Sequence, residues 1–348
     1  VAFTSDQIPV SAEGTNVDYT IATPTEQNVE TVSVNRSANF TVDLKNVPSD
    51  VPAGNVIEFD LNVTNVGGET GTKTVALRLA GEKKAAVPFT IAPGASNDSE
   101  SLKAQPGVST ELNDAGQNQI FRATSPDDAD SSKIDVNKPP TYEITDTNFS
   151  PANPIKGQQN LEANVTVRNT GDLDDTINIT MSAGGETTRN TLFGPAKTSN
   201  TSTLSLNTAN IPAGERSVLI KVDELNQENG QLVVFRTEDR VTRTTTIREP
   251  ADVSVGIDSV TNPVVVGNTL TVETTLRNDG DVASTETVNA SFAGTEKNKT
   301  DTVPADGSTE FTFTFTPGSA GDNQQVTVEA GQASATRTID VIQKPGSA

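Results

Sequence analysis

The stretch NVTVRNTGDLDDTINIT, from Asn164 to Thr180, has counterparts at two other places in the chain: LNVTNVGGETGTKTVAL from Leu61 and TLRNDGDVASTETVNAS from Thr275. Each reads as a strand, an Asn-x-Gly turn and a second strand. With Asn65, Asn169 and Asn278 as anchors, spaced 104 and 109 residues apart, the positions eight, six, four and two before each anchor align. They are Ile57, Phe59, Leu61, Val63; Leu161, Ala163, Val165, Val167; and Leu270, Val272, Thr274, Leu276. Eleven of the twelve are apolar and only Thr274 breaks the pattern. A period of two held over a whole strand means one buried face.

The repeat extends on both sides of the anchor. Eleven or twelve residues upstream stand Gly54, Gly157 and Gly267, each preceded by a proline-bearing segment: VPSDVPAG, SPANPIKG and TNPVVVG. Proline is tolerated at a strand edge or turn and excluded from a central ladder, so each copy is predicted to open with an edge strand that breaks and turns. Downstream comes another alternating run: Val75, Leu77, Leu79; Ile177, Ile179, Met181; Val288, Ala290, Phe292. A proline turn follows at Pro93, Pro195 and Pro304, and the third copy continues with Phe311, Phe313 and Phe315 on one face. Short strands separated by turns every eight to twelve residues predict an all-β chain of three tandem immunoglobulin-like β-sandwich domains. Boundaries are expected near NKPPTY (Asn137–Tyr142) and REPADV (Arg248–Val253), which give domains of residues 39–139, 140–249 and 250–348 after an N-terminal strand segment of residues 1–38. Proline-stiffened connections of this kind imply a rod of beads.

Composition bounds the function. The 348 residues carry 46 acidic and 25 basic side chains, a formal net charge of −21, which repels nucleic acid and anionic lipid. No nucleic-acid partner is expected. Regular alternation argues against a disordered acidic chain, leaving a folded acidic surface of the halophilic kind as the reading. Cysteine, histidine and tryptophan are all absent. Thiolate catalysis, histidine triads, Cys/His zinc sites and disulfides go with them. A carboxylate pair could still hydrolyse a glycosidic bond, but with only Tyr19 and Tyr142 beside core-type phenylalanines the chain lacks aromatic platforms for sugar. No enzyme activity, cofactor or catalytic residue is assigned. No apolar run reaches membrane-spanning length, and Val1–Val10 has no signal-peptide character, so an exported form is expected to have lost its signal earlier. The missing apolar N-terminal helix also argues against assembly of the type IV pilus kind.

The three units resemble CARDB-type domains, the cell-adhesion-related sandwiches of bacterial and archaeal surface proteins. VRNTGD (Val167–Asp172) and LRNDGD (Leu276–Asp281) match that family's strand ending in Asn-x-Gly, and VTNVGG (Val63–Gly68) keeps the Asn-x-Gly. The resemblance covers residues 39 to 342. It implies an extracellular cell-surface protein, of a haloarchaeon given the acidity, and carries no catalytic residue.

Residues 1–38 precede the first copy and hold two strand-like stretches, NVDYTIAT (Asn16–Thr23) and NVETVSV (Asn28–Val34). They read as an extra hairpin on the first domain or the tail of a domain lost by processing, as a donor strand that completes a sandwich in a neighbouring copy, or as a flexible tail. N-glycosylation acceptors occur at Asn35, Asn39, Asn62, Asn97, Asn164, Asn178, Asn200, Asn289 and Asn298, with Asn148 disfavoured by the following Ser150–Pro151. Strand parity turns Asn62, Asn164, Asn178 and Asn289 toward solvent. Acidic clusters at Asp127, Asp128 and Asp130, at Asp172, Asp174 and Asp175, and at Asp223, Glu228 and Asn229 have calcium-type donors but no EF-hand spacing, so they read as solvated loops and no metal site is assigned. The function expected is a structural subunit of a cell-surface filament or layer that self-associates end to end. The alternative is a non-polymerising adhesin stalk or a virion-surface fibre.

Overall fold

The structure is a computed structural model that describes residue 14 and residues 16–22, 25–98, 108–228, 231–344 and 346. It is β throughout, apart from one short 3-10 turn at Leu112–Asp114. The described residues divide into two compact units. One is Val1–Thr141 with Asn169–Asp175 and Pro195–Lys197; the other is Tyr142–Arg168, Thr176–Gly194 and Thr198–Ala348. Within them lie three separate hydrophobic cores.

At the N-terminus β1 (Asn16–Ala22) and β2 (Gln27–Ser33) pair with each other as an antiparallel hairpin. These are the two strand-like stretches of the sequence, and within the chain each is the other's partner. Thr31 Oγ1 donates to Asp18 Oδ1 (2.7 Å) and Ser33 Oγ to Asn16 Oδ1 (2.8 Å) across it. Residues 1–13 lie outside the described chain.

The first sandwich comprises β3 (Phe40–Lys45), β4 (Asp50–Pro52), β5 (Val56–Ile57), β6 (Asp60–Asn65), β7 (Gly71–Leu79), β8 (Glu82–Ile91), β9 (Ser96–Asp98), β10 (Val108–Ser109), β11 (Gly116–Thr124) and β12 (Ala129–Asn137). The second has β13 (Tyr142–Ser150), β14 (Asn160–Asn169), β15 (Asp175–Ala183), β16 (Glu186–Gly194), β17 (Ser199–Asn207), β18 (Gly214–Glu228) and β19 (Gln231–Ile247). The third has β20 (Val253–Val260), β21 (Val264–Val265), β22 (Leu270–Asn278), β23 (Ser284–Phe292), β24 (Thr295–Val303), β25 (Gly307–Phe315), β26 (Gly321–Ala330) and β27 (Ala333–Ile342).

A three-stranded sheet faces a wider one in each copy. The small sheets are ordered β3-β6-β9, β13-β14-β17 and β20-β22-β25; the wide ones are β4-β12-β11-β7-β8, β16-β15-β18-β19 and β21-β27-β26-β23-β24. The opening strand breaks at its proline segment and crosses to the wide sheet. There β4 runs parallel to β12 and β21 parallel to β27, and a single parallel bridge joins Ile155 to Arg248. That crossing is the break the prolines predicted.

The anchored positions face the core. Leu161, Ala163, Val165 and Val167 are buried, as are Leu270, Val272 and Leu276. Thr274, the exception in sequence, is also buried, at 1 % exposure, because its hydroxyl donates to the carbonyl of Gly256 on the neighbouring strand. A hydroxyl with a partner sits in a core without the penalty of an orphan.

One buried ion pair braces the first sandwich. Lys84 Nζ, on a side chain only 8 % exposed, lies 2.9 Å from Asp114 of the 3-10 turn and 2.8 Å from Glu82. The hydrogen bond to Glu82, followed by Asp114, pushes the Lys84 ammonium up to about 12, against burial, which acts to lower it.

Candidate functional site: an asparagine clasp at the start of each sandwich

The anchor asparagines end β6, β14 and β22 at an inward position, with exposures of 0 %, 1 % and 0 %. A buried amide must find partners for its acceptor oxygen and its two N–H groups. In the third sandwich Asn278 Oδ1 accepts from the backbone N–H of Asp252 (3.0 Å) and of Gly280 (3.0 Å), while Nδ2 donates to the carbonyls of Val282 (2.8 Å) and Pro304 (3.2 Å). In the first, Asn65 Oδ1 accepts from Asn39 (3.1 Å) and Gly67 (2.9 Å), and Nδ2 donates to Glu69 (2.7 Å) and Ile91 (2.9 Å). In the second, Asn169 Oδ1 accepts from Thr141 (3.4 Å) and Gly171 (2.9 Å), and Nδ2 donates to Leu173 (2.8 Å). One side chain thus ties the strand end, its own turn and the segment that leads into the domain.

The turn backbone strengthens the hold. Val66, Thr170 and Asp279 donate to the carbonyls of Asn39, Thr141 and Asp252 at 2.8, 2.8 and 3.0 Å. Gly68, Asp172 and Asp281 donate to Arg36, Lys138 and Glu249 at 2.8, 2.9 and 3.2 Å. Close approach explains the glycine of Asn-x-Gly: a Cβ on Gly67, Gly171 or Gly280 would lie 2.1, 2.2 or 2.0 Å from the carbonyl oxygen of Ser37, Pro139 or Pro250. No side chain fits there.

The aspartate after that glycine adds a charged bond in two copies. Asp172 Oδ2 accepts from the Lys138 N–H and Asp281 Oδ2 from the Glu249 N–H, both at 2.8 Å. Asp172 also pairs with the Lys197 ammonium. Its carboxyl is held below the ordinary carboxylate value, first by Lys197 and then by the Lys138 N–H, against a smaller opposing effect of burial. Gly68 occupies this position in the first copy.

Between the second and third sandwiches adjacent residues bond to the two sides. Arg248 exchanges backbone bonds with Pro154 and Lys156 (both 2.9 Å), and the next residue, Glu249, is already held by Asp281 while its carboxylate meets Lys156 Nζ at 3.1 Å.

The acidic clusters serve the fold. Asp127 Oδ2, Asp128 Oδ2 and Asp130 Oδ2 accept the N–H groups of Phe40 (2.8 Å), Val42 (3.0 Å) and Leu44 (2.8 Å), the donors on the edge of β3 that faces away from β6. Lys73 Nζ sits 2.5 Å from Asp127. In the second sandwich Glu238 Oε2 and Asp239 Oδ2 do the same for Tyr142 (3.5 Å) and Ile144 (2.8 Å) of β13. Asp174 accepts from the Ala196 N–H (2.7 Å) and Asp223 from Thr237 Oγ1 (2.6 Å). The side chain of Glu228, and Asn229 altogether, lie outside the described residues. Among the described residues no group of three Asp or Glu is placed to hold a metal ion.

Asn35, Asn39, Asn148, Asn164, Asn200, Asn289 and Asn298 are exposed, and Asn289 and Asn298 stand directly opposite each other on β23 and β24. Asn62 and Asn178 are half-buried; Asn178 accepts from Thr191 Oγ1 (3.0 Å) and Asn62 Oδ1 is covered. The Asn97 side chain is outside the described residues.

No protein-family model and no curated protein matches the chain. Many solved structures show likeness, among them three at 16 % identity. A structure of a 1.5-MDa bacterial ice-binding adhesin aligns at TM-score 0.40, over 89 % of this chain and 99 % of that one. A tetra-tandem repeat from the extending region of a large adhesion protein aligns at 0.31, over 93 % and 81 %. Red sea bream transglutaminase aligns at 0.24 over 58 % of this chain, which spans 32 % of the enzyme. At such scores these likenesses bring no activity to this chain, and the sandwiches are read from the strand pairing itself.

Proposed function

We propose that the chain is a structural, non-enzymatic part of an extracellular surface protein, with its sandwiches acting as consecutive load-bearing modules. The observation that carries this reading is the clasp. A three-fold repeated, fully buried asparagine ties each domain to the segment entering it, and between Arg248 and Glu249 the hold passes from one sandwich to the next within one peptide bond. Modules that must transmit force gain from such continuity; modules that only bind a ligand have no need of it. Acidic excess favours solubility at a surface bathed in salt.

End-to-end assembly into a filament is the narrower form of this reading. Strand addition needs free edge N–H groups. Carboxylates accept from three N–H groups of β3 and from two at the start of β13, whereas among the described residues none accepts from β20. Addition between copies is therefore expected at β20, with the β1–β2 hairpin as the donor.

Protease shaving and antibody labelling of intact producing cells test the location; a chain fully protected inside the cell overturns it. Electron microscopy of the purified protein in molar salt, with and without residues 1–27, tests assembly. Fibres that vanish with the deletion support a filament subunit, and single particles in both samples support a non-polymerising stalk.

A further inference from the structure

The outward face of the wide sheet in the first sandwich carries a row of cations. Strand register places Lys83 of β8 opposite Arg78 of β7, and Arg78 opposite Arg122 of β11; Lys133 of β12 lies one step diagonally away, opposite Ile120. All four cations are exposed. Like charges set directly across an antiparallel pair repel, so the arrangement works against the sheet. The Arg78 guanidinium donates to the Gly81 carbonyl (3.0 Å), and among the described residues no carboxylate pairs with any of the four. In a chain of net charge −21 this is an unneutralised positive row.

Beside the row is an open hollow of about 440 Å³, lined by the two arginines, the Ala80–Gly81 turn, Asn118, Gln119 and Ile120. Its frame recurs in the third sandwich. The bulge of Gly116–Gln119 is matched by Gly321–Gln324, with Asn118 and Asn323 at φ 54° and 53° and their N–H groups on Asp135 (2.6 Å) and Asp340 (2.9 Å). The Ala80–Gly81 turn is matched by Ala293–Gly294. There, however, the row reads Glu296, Ser291, Thr327, and in the second sandwich Ser182 stands opposite Leu219. The fold builds this frame without cations, so the arginines of the first copy answer to something other than folding.

We propose that this hollow binds a sugar acid, a carboxylate or sulfate carried on the terminal ring of an otherwise neutral glycan. Planar guanidinium forks match both oxyanions in bidentate fashion. Asn118 and Gln119 supply amide donors and acceptors for hydroxyls, and Ile120, 43 % exposed, supplies an apolar wall. The volume falls within the range of small-ligand sites. The rival occupant is an acidic side chain of a second copy. It is disfavoured because that copy brings its own charge of −21 across the whole approaching surface, whereas a single ring brings one.

The test is an NMR titration of the full chain at low ionic strength with glucuronate, glucose and inorganic sulfate, repeated on the double variant Arg78→Ser, Arg122→Thr, which installs the third sandwich's residues. Glucuronate is expected to shift the amides of Ala80, Gly81 and Asn118 to Arg122, with glucose and sulfate each at least tenfold weaker, and the variant is expected to lose at least tenfold in affinity while its other resonances overlay. Binding of glucose equal to that of glucuronate, or unchanged binding in the variant, overturns the proposal. Sulfate as tight as glucuronate makes it an adventitious ion only. Self-association in sedimentation that the variant abolishes, with no glucuronate shift, assigns the row to a second copy instead.

Discussion

Asn278 reaches back to Asp252: its buried Oδ1 accepts the backbone N–H of a residue 26 positions earlier, at 3.0 Å. The same oxygen holds Gly280, and the amide nitrogen holds Val282 and Pro304. A single side chain therefore closes the strand end, the turn and the connection to the preceding sandwich at once.

Replacing Asn278 with alanine orphans two N–H and two C=O groups. Each buried orphan costs about 1–3 kcal/mol, and partial relaxation leaves an expected loss on the order of 3 kcal/mol for the third sandwich. Denaturant unfolding measures the loss, and hydrogen exchange at the Asp252 amide locates it. A change near zero with protection intact would mean that the backbone bonds alone hold the junction.

Gly280→Ala tests the close approach separately from the amide. Its Cβ would lie 2.0 Å from the Pro250 oxygen, so the incoming segment must move and stability must fall by a few kcal/mol, roughly as for overpacking in a core. Gly318→Ala is the control, since nothing lies within 4 Å of a Cβ there, and it is expected to stay within about 0.5 kcal/mol of the parent. Equal melting temperatures for both variants would remove the steric account of Asn-x-Gly.

Alternation made the strands legible because burial of one face is written residue by residue, as Leu161, Ala163, Val165 and Val167 show. The anchor asparagines were visible as turn residues, yet their role as clasps was not. Their partners at Asn39, Thr141 and Asp252 are backbone N–H groups, which any residue but proline supplies, so sequence carries no trace of them. The cluster of Asp127, Asp128 and Asp130 read as a solvated loop for a similar reason: it serves amides 86 or 87 residues away. The row of Lys83, Arg78 and Arg122 needs the register of three strands before it exists at all.

Two ionic contacts give stability a defined pH profile. The Lys84 ammonium is raised from 10.5 to about 12, so its contribution is complete below about 10.5 and is lost as pH climbs toward 12. The Asp172 carboxyl is lowered, so its contribution is present above the ordinary value near 3.8 and is lost as pH falls below it. Melting temperatures are expected to drop at both limits, with Lys84→Met flattening the alkaline limb and Asp172→Asn the acid limb. A variant that keeps the parent's slope would show that its contact is not the one titrating.

The edge carboxylates make a prediction about association. An exposed strand edge is a template for another chain, and β3 presents three donors in a row that Asp127, Asp128 and Asp130 occupy. Asp127 is also tied to Lys73, so the cleaner change is Asp128→Ser with Asp130→Ser, which frees Val42 and Leu44 and leaves that ion pair in place. Loss of two charge-assisted bonds is expected to weaken the first sandwich by roughly 1.5–3 kcal/mol each at most. More telling is the consequence for copies of the chain. Hydrogen exchange at the Val42 and Leu44 amides should quicken in dilute protein, and sedimentation velocity at moderate salt, where repulsion between copies is screened, should reveal concentration-dependent oligomers larger than any the parent forms under the same conditions. Oligomers with restored protection at those two amides would identify β3 as the pairing edge. Faster exchange with a strictly monomeric chain would show that the acids stabilise the strand without guarding it, and the edge-capping account of these clusters would fail.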